Sequence, residues 1–168
     1  MKYIYLDIET TGLMPWYDSR ITCICAKTTQ GDTFEEVGGT EADLIRKFVT
    51  WLKMRSNTDY EIITKNGKQF DIPFILTRSV KGNIDYNIVS FILEYEHFDM
   101  QLVTTKWISL GDWAKIYRLP INKTANGFQA IIMWDERRYA DLLDYCKQDV
   151  LVLEQIHQMY SKLNGCNQ

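Results

Sequence analysis

The sequence predicts an α/β domain: a mixed five-stranded sheet with helices on both faces. Three observations carry this. Residues 2–37 read as three strands in succession, two of them joined as a hairpin. Strand and helix patterns then alternate, as they do when parallel strands are added to a sheet. The chain closes on one long segment whose apolar residues recur at helical spacing.

The elements follow in order. In residues 2–9, KYIYLDIE, period two puts Ile4, Leu6 and Ile8 on one face and Tyr3, Tyr5, Asp7 and Glu9 on the other. Residues 20–28 and 31–37 pair around Gln30-Gly31-Asp32, and Gly38-Gly39 ends the hairpin. Thr40 caps a helix, with Asp43 three residues on as a short-armed capping box. Leu44, Ile45, Phe48, Val49 and Leu52 share that helix's inner face. Residues 61–65 form a fourth strand, Asn66-Gly67 turns the chain, and a helix covers 70–80. Asp71 sits in its first turn, where the helix dipole and free N–H groups favour an acid as a cap. Pro73 is tolerated there because no N–H is needed. A short fifth strand covers 95–99, and helices lie near 109–117, 127–133 and 136–163. On the last of these Leu142, Leu143, Val150, Leu153, Ile156 and Met159 make the apolar stripe.

Composition bounds the possibilities. The 168 residues have room for a single domain, 1–168, and 46% hydrophobic residues suffice for a sizeable core. A net charge of −3 argues against tight, non-specific duplex binding, which needs a basic surface. Lys65, Lys68, Lys106, Lys115, Arg118, Lys123 and Lys147 offer a local basic rim or are simply solvated. Cys23 and Cys25 stand two apart on a strand, a spacing poor for a disulfide or a zinc site, and Cys146 and Cys166 are remote in sequence. All four read as reduced thiols of a cytoplasmic protein. The segment before Asp7 is too short for a signal-peptide core, and no run approaches a membrane span.

The acidic residues carry the chemistry. Asp7 and Glu9 emerge side by side at the carboxyl end of the first strand, where Thr10, Thr11 and Gly12 turn the chain. Tyr145 and Asp149 are four apart on the last helix and share a face. Carboxylates gathered with Asp71 in one place repel each other unless cations join them. Their hard oxygen donors suit Mg²⁺ or Mn²⁺. A pair of such ions can activate water and neutralise the leaving oxygen of a phosphodiester. Trp16 and Tyr17 lie in the loop beside Glu9, where they stack a base or cover the core.

Three motifs in fixed order, D-I-E-T-T-G-L from Asp7, N-x-x-x-F-D ending at Asp71 and Y-x-x-x-D ending at Asp149, resemble the 3′→5′ exonucleases of the DEDD superfamily. The likeness covers nearly the whole chain. It is to the tyrosine branch: the histidine branch places His five residues before the last Asp, and here that position is Asp144. The stretch S-L-G-D-W-A-K-I-Y-R-L-P, from Ser109 to Pro120, is similar to stand-alone relatives of the family B DNA polymerase proofreading exonucleases. The resemblance implies a ribonuclease H-like fold and two divalent cations, Mg²⁺ or Mn²⁺. It implies that Asp7, Glu9 and Asp149 hold one cation, that Asp7 also reaches the second, and that Asp71 supports the second through water. Tyr145 would position the attacking water. Asn66 and Phe70 would contact the terminal nucleotides, and Thr10 and Leu13 the last base and sugar. The implied reaction removes nucleoside 5′-monophosphates from a nucleic-acid 3′ end, with single-stranded DNA the expected substrate. A ribonuclease H-like endonuclease, a structure-specific nuclease and a 3′→5′ exoribonuclease stay open, as do any protein partners.

Overall fold

The structure is a computed structural model describing residues 2–55, 59–120 and 126–165. Lys123 and Cys166 lie outside these. Five strands, β1 (Lys2–Thr10), β2 (Ile21–Thr28), β3 (Thr33–Val37), β4 (Tyr60–Thr64) and β5 (Glu96–Asp99), form one sheet in the order β3-β2-β1-β4-β5. β1 runs antiparallel to β2 and parallel to β4, and β4 runs parallel to β5. The sheet is therefore mixed, with β1 at its centre. The helices are α1 (Glu41–Lys53), α2 (Asp71–Lys81), α3 (Tyr86–Val89), α4 (Leu110–Ile116), α5 (Gly127–Asp135) and α6 (Tyr139–Leu163).

The alternation along β1 divides the interior into two layers. Ile4, Leu6 and Ile8 join Phe48 of α1 and Ile75 of α2 in one apolar cluster. Tyr5 joins Trp113 of α4, Ala130 of α5 and Leu142, Val152 and Leu153 of α6 in the other. Full burial of such a side chain is worth about 1.5–3 kcal/mol over exposure, so both faces hold the sheet. On α6 the expected stripe is buried at Leu142, Val150, Leu153 and Ile156, while Leu143 and Met159 are half-buried.

Local chemistry starts the helices. Thr40 Oγ1 accepts the Asp43 N–H at 3.2 Å, but the Asp43 carboxylate accepts the Thr40 hydroxyl instead of closing the box on backbone. A complete capping box forms at Asn126 and Gln129, which the sequence reading passed over. It also passed over α3 and the 3₁₀ turns at Ser90–Glu94 and Met100–Val103, which are too short to show a period.

Candidate functional site

The carboxyl end of β1 is where the acids gather. Asp7 stands opposite Cys25 of β2, and Glu9 opposite Cys23. The register then slips between Glu9 and Thr10. At this bulge the Thr22 hydroxyl donates to the Glu9 carbonyl at 3.0 Å, and the chain is re-aimed as bulges beside functional sites do. Glu9 is buried and Asp7 half-buried. A carboxylate oxygen from each, together with Cys146 Sγ of α6, lies within 4.8 Å of the others.

α6 supplies the opposite wall. Tyr145, Cys146 and Asp149 are buried on its inner face. The Tyr145 hydroxyl donates to Asp149 and stands in the field of Glu9 and Asp7. Burial first, then the surrounding carboxylates, push the phenol's pKa well above its ordinary value. It therefore stays protonated, able to donate a hydrogen bond but not to take a proton. The Cys146 thiol donates weakly toward the Asp7 carbonyl at 3.6 Å and Asp7 Oδ2 at 3.7 Å.

Asp71 does not cap α2. The cap position is Phe70, with no side-chain cap bond. The Asp71 carboxylate instead accepts the Ile8 N–H at 3.2 Å. Burial raises its pKa to about 7, against the opposing pull of its own backbone N–H and that of Ile8. The turn before it is organised by a residue the sequence reading missed. Buried Asp99, at the end of β5, accepts the N–H groups of Asn66 at 2.6 Å, Lys68 at 3.0 Å and Gln101 at 2.9 Å. An acid as the last residue of a short strand was its only signal. Asn66 takes a left-handed φ of +69°, which Asn tolerates better than most residues. A Cβ on Gly67 would stand 2.4 Å from Thr64 Oγ1, so the turn closes only with glycine there.

The four expected substrate residues are placed differently. The Thr10 hydroxyl is buried and donates to the Gly12 carbonyl at 2.7 Å. Phe70 is half-buried against the apolar cluster, 5.3 Å from the Phe74 ring. Asn66 is half-buried in its turn, and Leu13 is 76% exposed. Trp16 and Tyr17 do not cover the core; they are 62% and 67% exposed. Their loop is anchored by buried Arg78, also missed in the sequence. It binds Glu41 through both Nε (2.8 Å) and Nη2 (2.6 Å), and donates to the Pro15 carbonyl at 3.3 Å and the Tyr17 carbonyl at 3.2 Å.

Of the basic residues, Lys147 pairs with Glu35 at 2.8 Å and Lys115 with Asp112 at 3.1 Å. Lys65 Nζ lies 3.7 Å over the Trp107 ring, and Lys68, Lys106 and Arg118 are exposed. A groove of about 600 Å³ opens beside Tyr145, between Met133, Arg138, Asp141 and Lys147.

The sequence pattern of the RNase H superfamily matches residues 4–161, and the chain belongs to that superfamily. Its structure resembles the family B DNA polymerase from the hyperthermophilic archaeon Pyrobaculum calidifontis, with a TM-score of 0.77 at 18% identity. The match covers 95% of this chain and 24% of that one, so the chain spans about a quarter of that polymerase's length. At this identity the likeness is one of fold: ribonuclease H-like, with a mixed five-stranded sheet. No curated protein sequence matches the chain. No helix among the described residues is long and apolar enough to cross a membrane.

Nucleases of the RNase H superfamily use divalent metal. The donor set fits it: Asp7 and Glu9 offer oxygens within 4.8 Å of each other at the strand end, and buried Asp149 of the last helix acts on the same Tyr145 hydroxyl as they do.

Proposed function

We propose that the chain is a metal-dependent 3′→5′ exonuclease, a single domain over residues 1–168, acting on single-stranded DNA. One observation carries this reading: the last helix sets Tyr145 and Asp149 against Asp7 and Glu9 at the end of the central strand. Asp7, Glu9 and Asp149 would hold one Mg²⁺ or Mn²⁺ ion, with Asp7 shared toward a second that Asp71 supports. When bound, such ions supply Lewis-acid stabilisation of the charge that develops on a phosphodiester.

The chain's own groups do the rest. Tyr145, held protonated and donating to Asp149, offers its hydroxyl oxygen as the acceptor that orients the attacking water. Asp71 steadies the backbone between Asp7 and Glu9 through the Ile8 N–H. Thr10, Leu13, Asn66 and Phe70 surround the terminal nucleotide, Thr10 and Asn66 by shaping the backbone turns there. Leu13, Trp16 and Tyr17 give an exposed apolar surface on which unpaired bases stack, at about 1–3 kcal/mol per base. Together with the acidic net charge, this favours a frayed or single strand over duplex. The reduced, buried thiols suit a cytoplasmic place of action.

The test uses 5′-labelled single-stranded DNA and RNA of matched sequence, circular single-stranded DNA, and Mn²⁺ against EDTA. The reading expects a ladder shortening from the 3′ end, release of nucleoside 5′-monophosphates, no cutting of circles and silence in EDTA. Cleavage of circles at a similar rate would replace it with an endonuclease. Faster digestion of the RNA would make it an exoribonuclease.

A further inference from the structure

Beside the carboxylates, on the neighbouring strand and the last helix, lies a second group of potential ligands. Cys23 and Cys25 of β2 and Cys146 of α6 turn their sulfurs to one point: all three Sγ atoms lie within 4.8 Å of one another, and the Cys23 and Cys25 pair is 3.9 Å apart. The three are 0%, 1% and 0% exposed. The i, i+2 spacing that made the β2 pair alone a poor metal site is completed by a third thiol from the far end of the chain.

We propose that Cys23, Cys25 and Cys146 form a binding site for a soft, thiophilic cation, zinc or its analogue cadmium, adjoining the hard-cation carboxylate centre, whose Asp7 and Glu9 oxygens also lie within 4.8 Å of Cys146 Sγ. The ligand chemistry separates the two. Thiolates select soft ions, whereas carboxylates suit magnesium and manganese. The spacing fits as well. Sulfurs bound at about 2.3 Å around a tetrahedral zinc stand about 3.8 Å apart. The β2 pair is at that separation already. Bringing Cys146 Sγ in from at most 4.8 Å requires a shift of no more than about 1 Å. Each thiol gives up its proton to solvent as the ion binds. The ion ties the second strand to the last helix, which carries Tyr145 and Asp149.

The bland alternative is that three cysteines serve as small apolar core residues. Cadmium decides between them, because thiolate coordination gives an ultraviolet charge-transfer band that carboxylate coordination does not. The measurement uses the full chain carrying Cys166→Ser, titrated with Cd²⁺ to constant absorbance. The proposal expects a band saturating at one ion per chain. It expects the band to be retained in Asp7→Ala and lost in both Cys23→Ala and Cys25→Ala, whose folding is checked by circular dichroism. Zn²⁺ should also raise the melting temperature of Asp7→Ala, and this rise should vanish when Cys25→Ala is added. Absence of the band, or a band indifferent to both cysteine substitutions, overturns the proposal. Because no arm reads nuclease activity, these outcomes are independent of whether the exonuclease reading stands.

Discussion

Asp71 Oδ1 accepts the N–H of Ile8 at 3.2 Å, so an acid on α2 grips the one residue that lies between Asp7 and Glu9. The pairing of β1 with β4 stops at Tyr5, and Asp71 supplies a partner for backbone beyond that point. Asp71→Asn keeps an oxygen in place and should fold with little loss of stability while cleavage falls. Asp71→Leu leaves a buried N–H unsatisfied, which costs about 1–3 kcal/mol. Urea unfolding of the two variants checks this; equal losses would show that the hydrogen bond to Ile8 contributes nothing.

Metal should stabilise the fold, because an ion that binds only the native state raises the melting temperature. Mn²⁺ or Mg²⁺ is expected to do so in wild type. Asp7→Ala should lose that response and melt higher than wild type in EDTA, since one of the mutually repelling carboxylates is gone. Equal metal-induced shifts in both proteins would remove Asp7 from the ligand set.

Tyr145→Phe removes only a hydroxyl. The ring packing and every carboxylate survive, so folding and Mn²⁺ binding should be nearly unchanged. Positioning and proton-transfer groups typically contribute about 10²–10⁴-fold, and single-turnover cleavage should fall by an amount in that range. Wild-type turnover would reduce Tyr145 to a core tyrosine. With its pKa held well above the ordinary value, the phenol should add no limb to the pH–rate profile between pH 6 and 9.

Arg78 is a buried cation whose partner Glu41 also accepts the Ile21 N–H, at 2.6 Å. Removing one partner of a buried pair costs about 3–5 kcal/mol, which is the loss expected of Arg78→Met. Arg78→Lys keeps the charge but not the fork that reaches both Glu41 and the loop carbonyls, and should fall between. Adding Glu41→Gln to Arg78→Met should recover part of the loss, read as a coupling energy in a double-mutant cycle.

His157 sets a pH dependence. Burial depresses its pKa to about 4, and the Tyr5 hydroxyl lies 3.2 Å from its Nδ1. A depressed folded pKa contributes stability above the unfolded value, near 6.5, that is lost as pH falls toward 4. The loss should be on the order of 2 kcal/mol across that window. It should be reduced in His157→Gln, the remainder including His97, which burial depresses in the same direction. An unchanged slope of stability against pH in His157→Gln would refute this.

The sequence made the architecture legible because β1, α1 and α6 are long enough to show a period. It also brought Asp7 and Glu9 to one strand end, and Tyr145 and Asp149 to one helix face, from spacing alone. It did not show Asp99, Arg78 or the meeting of three thiols. Each of these depends on contacts between distant segments: Asp99 reaches back 33 residues to Asn66, and Arg78 reaches back 37 to Glu41. Nothing in local composition encodes such pairs. The grip of Asp71 on Ile8 was not legible either, since the first turn of a helix favours an acid whether or not that acid caps it.

Asp7 and Cys146 touch across 139 residues of sequence. While the chain is being synthesised, β1 leaves the ribosome long before α6 exists, so a nascent chain holds one half of the centre without the other. As an exonuclease, the chain would gain its nucleolytic power only once translation has passed Asp149 and the last helix has docked.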